Sequence, residues 1–431
     1  MKNNNDNAAF TRRIFLQQGV TMISAAATIP LFLQNSANAM MRPLGSLTTS
    51  LAGVPEDHIL VVVQLGGGND GLNTVIPYGD RNYYNSRPSL GIAAPGNGQQ
   101  TALALNDVQG IGLHPAMAPF KELLDDGVAS IIQGVGYPNP NRSHFTSMDI
   151  WHTADPDAGN GLGWIGRYFD NQCNGSPIPQ GSVAIGRSAP LAMLGEVQKP
   201  VSFESPDLFK WLGNELHHSM KQPYDDINRS GQLPAMQSDS QQAFLQRTAL
   251  DAQVASDKIR AAVAKAPLVP YPQTGLGRQM QMVGAMIRAE MPTRVYYVTM
   301  GGFDTHANQA GSHAALLTQF SGAVNAFQKD MKAQGNSKHV LTMVFSEFGR
   351  RVKQNASGGT DHGTAAPMYL IGDMVKPGLL GNHPSLTDLD SGDLKFNVDF
   401  RSIYAGILED WMKAPSKEIL GQAFRKAEII L

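Results

Sequence analysis

Carboxylates and imidazoles recur in this sequence beside glycines, each time just past or just before an apolar run. Asp70 lies in Gly66-Gly67-Gly68-Asn69-Asp70-Gly71. Arg142, Ser143 and His144 follow Tyr137-Pro138. Asp304 and His306 close the stretch Gly301-Gly302-Phe303-Asp304-Thr305-His306. Glu347 follows Ser346, and Asp361-His362 sits between Gly359 and Gly363. Oxygen and imidazole donors together suit zinc, manganese or a similar divalent ion, whereas calcium favours oxygen alone. Asp304 and His306 are two positions apart, so in an extended segment both side chains point the same way. Each residue also has a plainer reading. Asp70 shapes a turn; Ser143 caps a helix starting near His144; Asp304 caps one starting near Asn308. Glu347 pairs with Arg350 or Arg351, and His362 is a satisfied buried histidine. It is the joint placement that chance explains poorly.

What positions them is a series of strands. His58–Leu65 is a near-continuous β-branched run, which fits a strand buried on both faces of a parallel sheet. Residues 128–133, 295–300, 340–345 and 368–371 share its character. Helical patterns cover 115–124, 239–265, 276–287, 308–333 and 400–411. Strands separated by helices predict an α/β fold, a mostly parallel central sheet with helices on both faces. Ligands bind such sheets at the carboxyl ends of the strands, where the polar residues above fall. The Gly-, Pro-, Asn- and Ser-rich stretch from residue 155, with the long helix after it, reads as an inserted covering segment spanning about 155–290 of a domain running 58–431.

The start of the chain reads as an export address. Arg12-Arg13 precede an apolar stretch from Gly19 to Leu33, and Ala37-Asn38-Ala39 offers a cleavage site. Residues 1–39 are thus expected to be a twin-arginine signal peptide, with 40–57 a lead-in. The expected partners are the twin-arginine export machinery and a signal peptidase. The location is periplasmic or extracellular, reached in a folded state. The chain has one cysteine, Cys173, so it forms no internal disulfide, which suits folding completed in a reducing cytoplasm. The formal net charge of −2 gives no electrostatic footprint for nucleic acid. No segment after the cleavage site is apolar enough to span a bilayer.

The combination of residues 66–73 (Gly-Gly-Gly-Asn-Asp-Gly-Leu-Asn), 140–145 (Pro-Asn-Arg-Ser-His-Phe), 301–306, 346–350 (Ser-Glu-Phe-Gly-Arg) and 359–365 (Gly-Thr-Asp-His-Gly-Thr-Ala) resembles the domain-of-unknown-function family 1501. That family looks like a distant branch of the alkaline phosphatase and sulfatase superfamily. The resemblance implies an alkaline-phosphatase-like fold and a site for one or two divalent ions, zinc or manganese. Asp70 would hold one ion, and Asp304 with His306 the other. Ser143 would be the nucleophile at a helix N-terminus, with Arg142 or His144 stabilising the transferred group. Two registers remain for the last ligands. Either Asp361-His362 is an Asp-His pair, or Glu347 stands for the Asp, Phe348 replaces the His and His362 acts alone; strand context favours the second.

Two functions follow from these readings. One is an exported metal-dependent hydrolase of phosphate or sulfate esters. The other is a non-catalytic exported binding protein that keeps the fold and a degenerate metal site. Metal-assisted redox chemistry has little support, because the chain carries one cysteine and no nucleotide fingerprint.

Overall fold

The computed structural model describes residues 58–431 except 97, 99, 107, 158–160, 174–179 and 206–255. The expected signal peptide, the lead-in and the first part of the 239–265 helix lie outside the described residues; 256–263 is helical. No helix among the described residues is long and apolar enough to cross a membrane.

Among the described residues nine strands form the main sheet: β1 Ile59–Leu65, β2 Ala129–Gly136, β3 Ser182–Ile185, β4 Val201–Phe203, β5 Val295–Met300, β6 Val340–Ser346, β7 Ala366–Ile371, β8 Gly378–Leu380 and β9 Val398–Asp399. Their order is β8-β2-β7-β6-β1-β5-β3-β4, with β9 pairing β2. All pairings are parallel except those of β7, which runs antiparallel to both β2 and β6. The expected α/β sheet is present. Two further strands, β3 and β4, come from the segment read as a covering insertion. That segment therefore extends the sheet edge as well as flanking it. Each strand is only three or four residues long, too short to show a periodic pattern.

The apolar run of β1 is buried on both sides. Val61, Val63 and Leu65 face one core, packed against α1 (Ala118–Asp125), α4 (Gly275–Arg288) and α5 (Gln309–Gln334). Leu60 and Val62 face the other, with α2 (His144–Thr153), α3 (Trp164–Gln172) and α6 (Phe400–Gly406). Each such side chain contributes roughly 1.5–3 kcal/mol of burial free energy. The helix expected over 400–411 is α6 followed by a π-turn, Ile407–Trp411.

Register decides where the loops emerge. Leu65 lies opposite both Met300 and Ser346, so β1, β5 and β6 end at one level. Ala366, which opens β7, pairs with Val135 near the end of β2. The loops 66–70, 137–143, 301–308, 347–350 and 359–365 therefore meet at one sheet edge.

Candidate metal and ester site

The loops are bound to one another by their own backbones. Gly349 N–H donates to Thr364 O at 2.7 Å, Gly363 N–H to Gly349 O at 2.9 Å, and Thr360 N–H to Thr305 O at 3.2 Å. Gly67 has φ +117°, and a Cβ there would collide with the Asp304 amide. Only glycine takes this conformation without strain and permits the approach. The same turn delivers Gly67 N–H to Glu347 Oε1 at 2.8 Å.

Arg350 fastens the edge. Its buried guanidinium donates to Gly68 O at 2.8 Å, Thr360 O at 2.8 Å, Phe303 O at 3.0 Å and Gly67 O, and to Asp304 Oδ1 at 2.7 Å. Burial alone would raise the Asp304 carboxyl, but Arg350, His362 and His306 outweigh it and hold the pKa at about 2.

Three imidazoles surround that carboxylate. His362 Nε2 and His306 Nε2 each lie 3.0 Å from Asp304 Oδ1, and His144 Nε2 lies 3.5 Å from Oδ2. Every one of these rings spends its other nitrogen on an oxygen. His144 Nδ1 contacts Glu347 Oε1 at 2.8 Å, His362 Nδ1 contacts Arg142 O at 2.8 Å, and His306 Nδ1 contacts Asp361 Oδ1 at 3.2 Å. Carboxylates and carbonyls only accept, so each Nδ1 donates to its oxygen and each Nε2 is the atom turned to Asp304, the one a metal ion would take. The Nε2 atoms of His306 and His362 are 2.9 Å apart. A cation shared between the two Nε2 atoms would suit that approach.

The donors of His144, Asp304 and His362 all lie within 4.8 Å of one another. A tetrahedral ion about 2.0–2.1 Å from each donor puts neighbouring donors roughly 3.3 Å apart. His362 Nε2 lies near that spacing from Asp304 Oδ1, at 3.0 Å, and His144 Nε2 from Oδ2, at 3.5 Å, so the carboxylate would offer the ion one oxygen toward each ring. The residues present thus fit a divalent ion, with imidazoles oriented by oxygen partners as metal-binding histidines usually are.

Of the expected site residues, His144, Asp304, His306, Glu347, Asp361 and His362 are brought together. Glu347 is buried and faces His144 rather than the cluster of donors, with Ser346 Oγ 3.2 Å from its Oε2. Asp361 holds His306 and Asn355, and is lowered chiefly by the Asn355 hydrogen bond. Phe348 packs on both His144 and His362, with ring centroids 5.0 and 4.8 Å apart.

Asp70 stands apart from them. Its side chain is fully buried and paired with Arg87 at 2.5 Å; Gln309 Nε2 also donates to Oδ2, and Asn73 N–H to Oδ1 at 3.4 Å. Burial would raise this carboxyl, yet Arg87 overcomes it and lowers the pKa. Every contact described for its oxygens is already a donor.

Ser143 occupies the N-cap position of α2 but makes no side-chain cap bond, and it is exposed. It sits between Arg142, whose carbonyl holds His362, and His144 of the cluster. The Arg142 guanidinium is tied to Asp393. Sequence reasoning missed Arg87 and Gln309, for which it had no signal, and set Arg350 or Arg351 against Glu347; the structure puts Arg350 on Asp304 and Arg351 near Asp393.

An α/β sheet with a His/Asp cluster at its strand ends is what the fold and the candidate site together define. The chain belongs to the family described as Protein of unknown function (DUF1501), whose model matches residues 137–393. No curated protein matches the sequence. Similar solved structures include an alkaline phosphatase superfamily protein from Vibrio parahaemolyticus (TM-score 0.38, 8% identity, 91% of this chain and 77% of that one). Another is the PsFucS1 sulfatase from Pseudoalteromonas sp. (TM-score 0.36, 8% identity, 95% and 77%). A third is the lipoteichoic acid synthase LtaP from Listeria monocytogenes (TM-score 0.35, 7% identity, 80% and 73%). These likenesses are remote.

Proposed function

We propose that this protein is a metal-dependent hydrolase of phosphate or sulfate esters, working outside the cytoplasm. The observation that carries the reading is the common orientation of three imidazoles, each with Nδ1 on an oxygen acceptor and Nε2 turned to Asp304. His144, Asp304 and His362 would hold one divalent cation, zinc or manganese by donor type. Bound there, the ion supplies Lewis-acid polarisation of the ester and makes a nearby hydroxyl more acidic.

The chain's own groups do the rest. Ser143, its hydroxyl uncommitted to the helix it begins, attacks phosphorus or sulfur. The bond from Oγ to that atom forms as the bond to the alcohol oxygen breaks. His306, fixed by Asp361, relays the serine proton to the departing oxygen through Nε2. The first-turn N–H groups of α2 and the Arg142 side chain stabilise the charge on the transferred group. Water then cleaves the serine ester.

The test is metal analysis of purified protein, followed by chromogenic phosphate and sulfate esters. Ser143→Ala should keep the metal and lose hydrolysis. Full activity in that variant removes Ser143 from the mechanism. Protein without metal or activity leaves the binding-protein reading.

Export by the twin-arginine route is part of the same proposal, supported by Arg12-Arg13 and Ala37-Asn38-Ala39. Replacing both arginines by lysine should leave the full-length protein in the cytoplasm. Unchanged export would assign it to another route.

A further inference from the structure

Glu347 reaches the site twice. Its carboxylate takes the Gly67 N–H and faces His144 Nδ1, each at 2.8 Å. Its backbone carbonyl accepts from Ser147 Oγ at 2.6 Å, one turn further along α2. Ser147 is fully buried and spends its one proton there, so its oxygen accepts from the Tyr137 hydroxyl at 2.8 Å. Burial raises the Tyr137 phenol, which therefore keeps its proton for that bond. The same hydroxyl accepts from Asn141 N–H at 3.0 Å; its contact with Asn141 O, at 3.4 Å, is the longer one. The direction of the chain is thus set from Asn141 through Tyr137 and Ser147 to Glu347.

The chain starts beside the candidate nucleophile. Asn141 Oδ1 accepts from Ser143 N–H at 2.8 Å, so the residue held by Tyr137 also sets the backbone of Ser143. Arg142 and Ser143 are exposed, and Pro138 and Pro140 ahead of them have no N–H to contribute. Arg142 is tied separately, through its side chain to Asp393 and its carbonyl to His362. Ser143 N–H reaches the interior through Asn141 and Tyr137. Tyr137 is itself buried, with its ring edge-on to Phe400 at 5.8 Å. An exposed turn is thereby fastened to packed side chains.

We infer that Tyr137 is a positioning residue for the reaction: through Asn141 it holds Ser143, and through Ser147 it ties that hold to Glu347, the residue that orients His144. Nucleophile and metal ligand are then both referred to one residue at the end of β6. The inference rests on the hydrolase reading and gives Tyr137 no contact with substrate or ion. A misplacement of about 1 Å at a reacting atom can cost about 100-fold in rate. The loss therefore falls on kcat and leaves metal affinity alone, because His144 keeps the Glu347 carboxylate.

The test uses the metal-loaded full chain with p-nitrophenyl phosphate and p-nitrophenyl sulfate, together with amide hydrogen exchange over 137–143. Tyr137→Phe keeps the ring against Phe400 and removes the hydroxyl. It should lower kcat about 10–100-fold, leave KM and metal affinity by chelator competition within about twofold, and speed exchange at the Asn141 and Ser143 amides about tenfold. Ser147→Ala breaks the chain one link further on and should lower kcat by a similar factor. The double variant should be no slower than the slower single one, as expected for two links of one chain. Unchanged kcat in Tyr137→Phe overturns the inference, as does unchanged exchange at both amides. A metal affinity that falls along with kcat also overturns it, because Tyr137 would then only support the cluster. The two proposals fail separately. Parent protein that cleaves neither ester ends the hydrolase and with it the role in catalysis, while faster exchange in Tyr137→Phe keeps Tyr137 as the anchor of the turn. Protein that cleaves an ester equally well without the Tyr137 hydroxyl keeps the hydrolase and loses the positioning role.

Discussion

Asp70 and Arg87 form an ion pair at 2.5 Å with neither side chain exposed. Arg87 is further held by the carbonyls of Val352 at 3.0 Å and Arg351 at 2.9 Å. The pair lies directly after β1, where the family resemblance implies a metal-holding aspartate. A guanidinium supplies the positive charge this carboxylate needs.

Removing that guanidinium strands a buried charge. Arg87→Met should destabilise the protein by about 3–5 kcal/mol in denaturant titration, and adding Asp70→Asn should restore much of the loss. Metal content of Asp70→Asn should equal that of the unchanged protein. A loss of bound metal in that variant would return Asp70 to the ligand set.

Glu347 acts on the proposed ion through His144. Glu347→Gln keeps the size and weakens the hold on Nδ1, so metal affinity should fall about 10–100-fold. Competition with a chelator measures it. An unchanged affinity would mean that His144 needs no orienting partner.

Three buried histidines set an acid limit on stability. Burial pushes His114, His152 and His313 down to about 4. The unfolded chain takes up these protons near pH 6.5. Between about 6.5 and 4 the unfolded state binds more protons, so stability is fully present above 6.5 and falls as the pH drops through that window. The total is on the order of several kcal/mol, each histidine contributing up to about 3. Denaturant midpoints at pH 7.5 and 4.5 test this; equal midpoints would contradict it.

Gly67→Ala should damage fold and site together. Its φ of +117° and its closeness to the Asp304 amide leave no room for a methyl group. The expected cost is about 1–3 kcal/mol in backbone strain, with weaker metal binding as Asp304 shifts. Thermal melting and metal content read the two effects; a variant unchanged in both would show that the turn adapts.

Local pattern was enough to read much of this protein. Apolar runs at 58–65, 128–133, 295–300, 340–345 and 368–371 fall on five strands of the sheet, because burial on both faces demands unbroken hydrophobic side chains. The segments after them hold Asp304, His306 and His362 in loops and His144 at the start of α2, at the strand ends where ligands bind such sheets. Tertiary structure decided what depends on residues far apart in sequence. It turned β7 antiparallel and brought β3 and β4 into the sheet edge. It also gave Asp70 to an arginine and placed Arg350 under Asp304. Hydrophobic period reports how a segment meets solvent, so strand positions are written locally. Pairing between charges depends on which loops share an edge, and that is fixed only when sheet order and register are.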